Sequence, residues 1–183
     1  DVMISNDAYH GTGHLNDVTM IRPVFRDGKL IAFLGSVFHS VDIGGAPSVN
    51  AKDSFEEGLT IPVSKILVKG NRNEDVIAFM TENLRSPEET FGDIGAQFSA
   101  YELGIKRLIK ILDDENINDL DVLVEEILGR SELAMRNAIS AVPDGIYSDD
   151  IMLDGFDEPL KIRCEVSIKG SDLSVDFSGT SRS

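Results

Sequence analysis

The 183-residue chain has no tryptophan, one cysteine and three histidines, and its 17 Lys and Arg are outnumbered by 32 Asp and Glu. Each shortage excludes something. A single cysteine, Cys164, rules out an internal disulfide framework and fits a reducing compartment. It sits in Leu160-Lys161-Ile162-Arg163-Cys164-Glu165-Val166, an alternating strand pattern in which it reads as a small packing residue rather than a nucleophile. A net charge of −15 and a pI near 4.4 repel phosphate backbones and anionic lipid, and no basic stripe offsets them, so neither nucleic acid nor membrane is an expected partner. No apolar run approaches the ~20 residues that span a bilayer, and no leader pattern opens the chain; a cytoplasmic location is expected. There is no Gly-x-x-x-x-Gly-Lys-Ser/Thr loop, no internal repeat and no low-complexity segment.

What is present is the composition of a packed protein: 42% hydrophobic and 27% charged residues, in a length sufficient for one substantial core. The three histidines are concentrated near the start, in Asn6-Asp7-Ala8-Tyr9-His10-Gly11-Thr12-Gly13-His14-Leu15-Asn16-Asp17 and His39-Ser40-Val41-Asp42-Ile43-Gly44-Gly45. Imidazole nitrogens and carboxylate oxygens are ligands for Zn, Mn or Fe, so this clustering beside turn-prone glycines raises a metal site. Plainer readings stand beside it. Single histidines are more often surface or packing residues, Gly11 and Gly13 can make a tight turn, and Asp17 can cap the segment after it. His10 and His14, four apart, would share a face only on a helix, which the two glycines oppose. Spacing alone leaves these readings open.

The pattern of apolar residues predicts an α+β fold. Residues 18–25 and 30–39 flank Arg26-Asp27-Gly28-Lys29, and Asp-Gly between β-favouring runs is a strong hairpin signal. Pairing of these strands would bring Asp17, just before one, close to His39, at the end of the other. Residues 43–62 are turn-rich, with Gly44, Gly45, Pro47 and Gly58, and are expected to cross the surface or line a pocket; Glu56 and Glu57 lie here, read as solvated or facing the cavity. A short helix is expected over 73–84 with Asn73 as its cap, and Pro87 ends the connection after it. Longer helices are expected over 93–113, capped by Asp93, and over 119–141, each with an apolar stripe near the 3.6 period. After Pro143-Asp144-Gly145 the period changes to two, predicting strands over 146–153, 160–168 and 173–177, the last an edge strand with some aggregation risk.

Beyond these patterns, Asn-Asp-Ala-Tyr-x-Gly-x-Gly-His-x-x-Asp-Val, Arg22-Pro23-Val24-Phe25, Asp27-Gly28 and His39-x-x-Asp42-Ile43-Gly44-Gly45 resemble the hydantoinase B family. The match continues through Glu57-Gly58, Ile61-Pro62, Asn83-x-Arg85-x-Pro87, Gly92-Asp93-Ile94-Gly95-Ala96-Gln97, Pro143-Asp144-Gly145-x-Tyr147 and Asp176-Phe177-Ser178-Gly179-Thr180, nearly the whole chain. The resemblance implies metal ligands at His14, Asp17 and His39, a further carboxylate from a segment upstream of residue 1, and continuation into more β structure after Ser183. The chain therefore reads as part of a larger hydantoinase B-type catalytic domain: a hairpin and loop region with the metal site (1–62), a helical region (71–141) and a β region (146–183). Asp7 and Asp42 match acidic family positions and are candidate catalytic residues, with bonding of turn amides as the rival role. Ala8 stands where the family typically has proline, and Ser40 where a second histidine usually comes after the first.

The implied activity is that of the B component of an ATP-dependent cyclic amide hydrolase, opening a hydantoin or 5-oxoproline ring in a hetero-oligomer with an A-type subunit or domain that handles the nucleotide. Phosphorylating the amide oxygen makes the carbonyl carbon more electrophilic, and a divalent metal would orient the attacking hydroxide or stabilise developing charge. This chain alone is expected to be inactive. Two alternatives remain: the B component of an acetone or acetophenone carboxylase, and a non-catalytic assembly module in which His14 and His39 merely pack.

Overall fold

The computed structural model describes residues 1–11, 13–46, 50–155 and 158–182; Thr12, Pro47 and Ser183, which enter the motifs and turns read from the sequence, lie outside the described residues. The fold is α+β, and the chain divides into two compact units, Asp1–Asn118 and Asp119–Ser183. The two long helices read together as one helical region fall in different units.

The first unit is built on the expected hairpin, β2 (Asp17–Arg26) and β3 (Lys29–His39), joined at Asp27 and Gly28. Both turn residues have positive φ, 52° and 77°, the condition of a type I′ turn, whose twist matches that of the flanking strands. Three elements without a clear sequence signal complete the sheet: β1 (Val2–Ser5), β4 (Ser64–Val68) and β5 (Asn71–Arg72), in the antiparallel order β3-β2-β1-β4-β5. A single turn of helix, α1 (Ser54–Glu57), is capped by Asp53, which accepts from the N–H groups of Phe55 and Glu56.

Helices α2 (Glu74–Asn83) and α3 (Pro87–Asp114) belong to this unit, α3 packing on β2 and β3. Asn73 holds the cap position of α2 as expected but caps nothing, since its Nδ2 donates instead to the Lys65 carbonyl on β4. Helix α3 starts six residues before the predicted boundary. Pro87 opens it rather than ending a connection, because a fixed φ and a missing N–H cost nothing in a first turn. Asp93 is consequently inside the helix and is no cap.

Alternation sorts the sheet into two faces. Val2, Ile4, Val18, Met20 and Val24 point inward and are buried with Leu15, Ile43, Ile61, Ile66, Met80, Ile94 and Tyr101. Each such aliphatic side chain contributes roughly 1.5–3 kcal/mol on burial. Tyr101 donates to the Met20 carbonyl at 2.7 Å and sits 2.6 Å from Ser36 Oγ, so α3 is held to both strands of the hairpin. Arg26 extends the hold, reaching Asp113 and the Ile117 carbonyl.

The second unit holds α4 (Leu120–Ser140), capped by Asp119, and a three-stranded antiparallel sheet of β6 (Gly145–Leu153), β7 (Leu160–Lys169) and β8 (Asp172–Asp176). Arg136 of α4 pairs with Glu132 and with Asp172 of β8. The helical period read in α4 is real, yet none of its residues is buried. No helix among the described residues is long and apolar enough to cross a membrane.

Candidate metal centre

Strand pairing builds the centre of the site. Asp17 and His39 are directly opposite in the β2/β3 ladder, a relation that holds Cβ atoms about 5 Å apart on one face. His39 Nδ1 lies 2.8 Å from Asp17 Oδ1. The ladder is closed beyond this pair by Asn16 and Ser40: Ser40 N–H donates to the Asn16 carbonyl at 2.7 Å, and Asn16 Nδ2 donates to the Ser40 carbonyl at 3.0 Å.

His14 arrives from the preceding turn, which is anchored through its neighbour Leu15. The Leu15 side chain is buried, its N–H donates to Glu57 Oε2 at 3.1 Å, and its carbonyl accepts from Asn6 Nδ2 at 2.8 Å. Asn6 is itself buried and tied to the Leu59 carbonyl and the Ile61 N–H. With Leu15 so fixed, His14 Nε2 falls 3.0 Å from Asp17 Oδ2, and the two imidazoles stand with centroids 5.1 Å apart. Asp17 thus spans both rings. Hydrogen bonding from His39 foremost, then the charge of His14, holds its carboxyl below the usual range against the opposing effect of burial.

One donor atom from each of His14, Asp17 and His39 lies within 4.8 Å of the others. Tetrahedral ligands at 2.0–2.2 Å from Zn are about 3.4 Å apart, so this set needs only small rotations to close on one ion. Two imidazoles and a carboxylate also match the donor chemistry of Zn, Mn and Fe.

Beside His39 opens a cavity of 250 Å³, bordered by Asn16, Asp42, Glu57 and Arg85. Its wall depends on glycine: a Cβ on Gly45 would lie 2.2 Å from the Glu57 carbonyl carbon, and one on Gly58 2.3 Å from the Ile43 oxygen. This close approach carries Glu57 to Leu15. Asp42 is occupied in holding the turn, accepting from Gly44 N–H at 3.2 Å and Arg85 N–H at 2.8 Å, while the Arg85 guanidinium binds the Gly44 and Gly45 carbonyls.

Asp7 stands outside the three-donor set, its Oδ1 accepting from Tyr9 N–H and its Oδ2 2.9 Å from His10 Nδ1. His10 is likewise no member. Ser40 is fully buried, with Oγ donating to the Asp42 carbonyl and 3.2 Å from Thr90 Oγ1. Ala8 packs against the core. Both departures from the family pattern therefore fill packed positions. The anchoring parts of Asn6, Asn16 and Glu57 had no signal of their own beyond motif membership.

The Hydantoinase B/oxoprolinase family matches residues 1–183. The chain belongs to that family. Caprolactamase subunit beta of Pseudomonas jessenii is 33% identical, over 96% of this chain and 31% of its own length. A crystal structure of the ATP-dependent caprolactamase from the same organism superposes with a TM-score of 0.87 over 96% of this chain and 31% of that one, at 33% identity. A 5-oxoprolinase of Dictyostelium discoideum is 27% identical over 98% of this chain and 15% of its own. Nucleotide-free acetone carboxylase shares the fold, with a TM-score of 0.80 at 20% identity over 100% of this chain and 27% of that one. This family member spans about a third of the length of curated relatives such as the caprolactamase subunit.

Proposed function

We propose that this chain forms the metal-holding part of the B component of an ATP-dependent cyclic amide hydrolase. The observation that carries the reading is that one donor atom from each of His14, Asp17 and His39 lies within 4.8 Å of the others, beside the end of the hairpin. A divalent ion held there supplies Lewis acidity toward a carbonyl or water oxygen. The chain's own residues do the rest of the local work. Asp17, kept ionised, orients both imidazoles; Leu15 and Glu57 hold the His14 turn; Asn16 and Ser40 lock the strand ends. The nucleotide belongs to an A-type partner subunit or domain, where phosphorylation of the amide oxygen activates the ring, and the hetero-oligomer works in the cytoplasm.

The test uses the full-length protein with its A-type partner, assayed for ATP-dependent consumption of hydantoins, 5-oxoproline, simple lactams and ketones, with and without bicarbonate. Ring opening without a bicarbonate requirement is expected, together with stoichiometric metal by elemental analysis. Bicarbonate-dependent consumption of a ketone assigns the carboxylase reading instead. A metal-free protein whose complex turns over none of these compounds assigns the assembly module.

A further inference from the structure

Helix α3 reaches the hairpin through two buried hydroxyls. Thr90, in its first turn, has Oγ1 3.2 Å from Ser40 Oγ, and Tyr101 donates to the Met20 carbonyl and lies 2.6 Å from Ser36 Oγ. The two residues are roughly three turns apart at 3.6 residues per turn, so they share one face of the helix. Their destinations differ. Tyr101 meets the middle of the β2/β3 ladder, whereas Thr90 meets the residue immediately after His39.

Counting protons gives the Thr90 bond its direction. The Ser40 hydroxyl has a single proton, and that proton goes to the Asp42 carbonyl at 3.0 Å. The proton between the two hydroxyls is therefore supplied by Thr90. A threonine inside a helix commonly turns its hydroxyl back to the carbonyl one turn earlier; this one is directed to the strand end instead. Ser40 is 0% exposed, so no solvent can replace a lost donor there. On its other side the Ser40 backbone exchanges two hydrogen bonds with Asn16. The chain after Ser40 is backed by the connection between α2 and α3: the Arg85 N–H donates to Asp42 Oδ2, and a Cβ on Gly44 would lie 2.6 Å from the Asn83 carbonyl oxygen.

We propose that Thr90 is a positioning residue for the metal centre: by donating to Ser40 it fixes the end of β3, and with it the place from which His39 reaches the ion. The proposal rests on the metal-holding role given above. His39 needs such a support because its side chain is 64% exposed, so little packing around the ring can orient it. Its placement comes from the bond to Asp17 and from the backbone that Ser40 continues. The two histidines thus have separate supports, His14 through Leu15 and Glu57, His39 through Ser40 and the first turn of α3.

The experiment measures Zn2+ affinity by chelator competition and the visible spectrum of the Co2+-loaded form in the full-length protein, with urea denaturation of the metal-free form alongside. Thr90→Val keeps the shape and removes the donor. It is expected to lower Zn2+ affinity about tenfold, the lower end of the range for supports behind a ligand, and to change the Co2+ absorption that reports ligand geometry. Thr90→Ser, which keeps the hydroxyl, should match the wild type in both. Tyr101→Phe breaks the other bond between α3 and the hairpin; it should lower the denaturation midpoint and leave Zn2+ affinity unchanged. Ser40→Ala removes the same bond from the other side and should show the loss even where Thr90→Val fails to fold, and adding Thr90→Val to it should cost nothing further. Wild-type affinity in Thr90→Val or in Ser40→Ala, an equal loss in Tyr101→Phe or in Thr90→Ser, or additive losses in the double variant would each overturn the inference. The two proposals fail separately. A protein that shows these metal affinities but opens no ring refutes the function and keeps the positioning role; wild-type affinity in Thr90→Val refutes the positioning role alone; a full-length protein that takes up no divalent metal refutes both.

Discussion

The backbone N–H of Leu15 donates to a side-chain oxygen of Glu57, forty-two residues further along the chain. That bond joins the turn bearing His14 to the short helix α1, so a carboxylate outside the three-donor set helps set where His14 stands.

Glu57→Ala in the full-length protein should therefore lower metal affinity roughly 10- to 100-fold, the range for supports behind a ligand. Glu57→Gln, whose amide oxygen can still accept, should recover most of it. Chelator competition measures both, and equal affinity in Glu57→Ala would show the anchor to be irrelevant.

Direct removal of a donor should cost more. His14→Ala and His39→Ala are expected to lose metal by more than about 100-fold and to abolish turnover, while far-ultraviolet circular dichroism stays that of the parent. Retention of both metal and activity in either variant refutes the assignment of that residue.

The glycines divide into two kinds. Gly45→Ala drives a Cβ into the Glu57 backbone and should destabilise by about 1–3 kcal/mol. Gly92→Ala, inside α3 with no atom within 4 Å of the added carbon, should stabilise by about 0.5–1 kcal/mol. Urea denaturation reads both, and like signs would contradict the packing described.

Burial pushes the Tyr101 phenol above its ordinary pKa, with the Ser36 hydrogen bond opposing. The folded state thus favours the neutral phenol. Its contribution is complete below the ordinary value of about 10 and is lost as pH rises through the higher folded value. The wild type should lose stability above that pH more steeply than Tyr101→Phe, measured as denaturation midpoints across alkaline pH; parallel curves would argue against it.

The hairpin and the nearness of Asp17 to His39 were legible because their logic is local, whereas the choice of His14, Asp17 and His39 as ligands was what the family resemblance implied. Asp27-Gly28 dictates a two-residue turn, and counting outward from it brings Asp17 opposite His39. Strand β1 escaped notice because Val2 to Ser5 is too short to display alternation, and its partners β2 and β4 come from distant parts of the chain. The start of α3 was misplaced because Pro87 can close a loop or open a helix, and only the tertiary setting decides. Glu57 was ambiguous for a related reason: its value comes from a glycine contact between segments remote in sequence, which no local pattern records.

The pairing of Asp17 with His39 also governs which changes in length this protein can tolerate. Eight rungs of ladder lie between that pair and the pair of Arg26 and Lys29 at the turn, with one register shift between Val24 and Phe25. Adding or deleting a single residue within β3 would reverse the faces of everything beyond it, turning His39 toward the helices and bringing a core residue out in its place. Only changes by two, or a compensating bulge, preserve the parity. The centre thus behaves as a read-out of strand arithmetic, and the evolutionary latitude of this hairpin lies in substitution far more than in insertion or deletion.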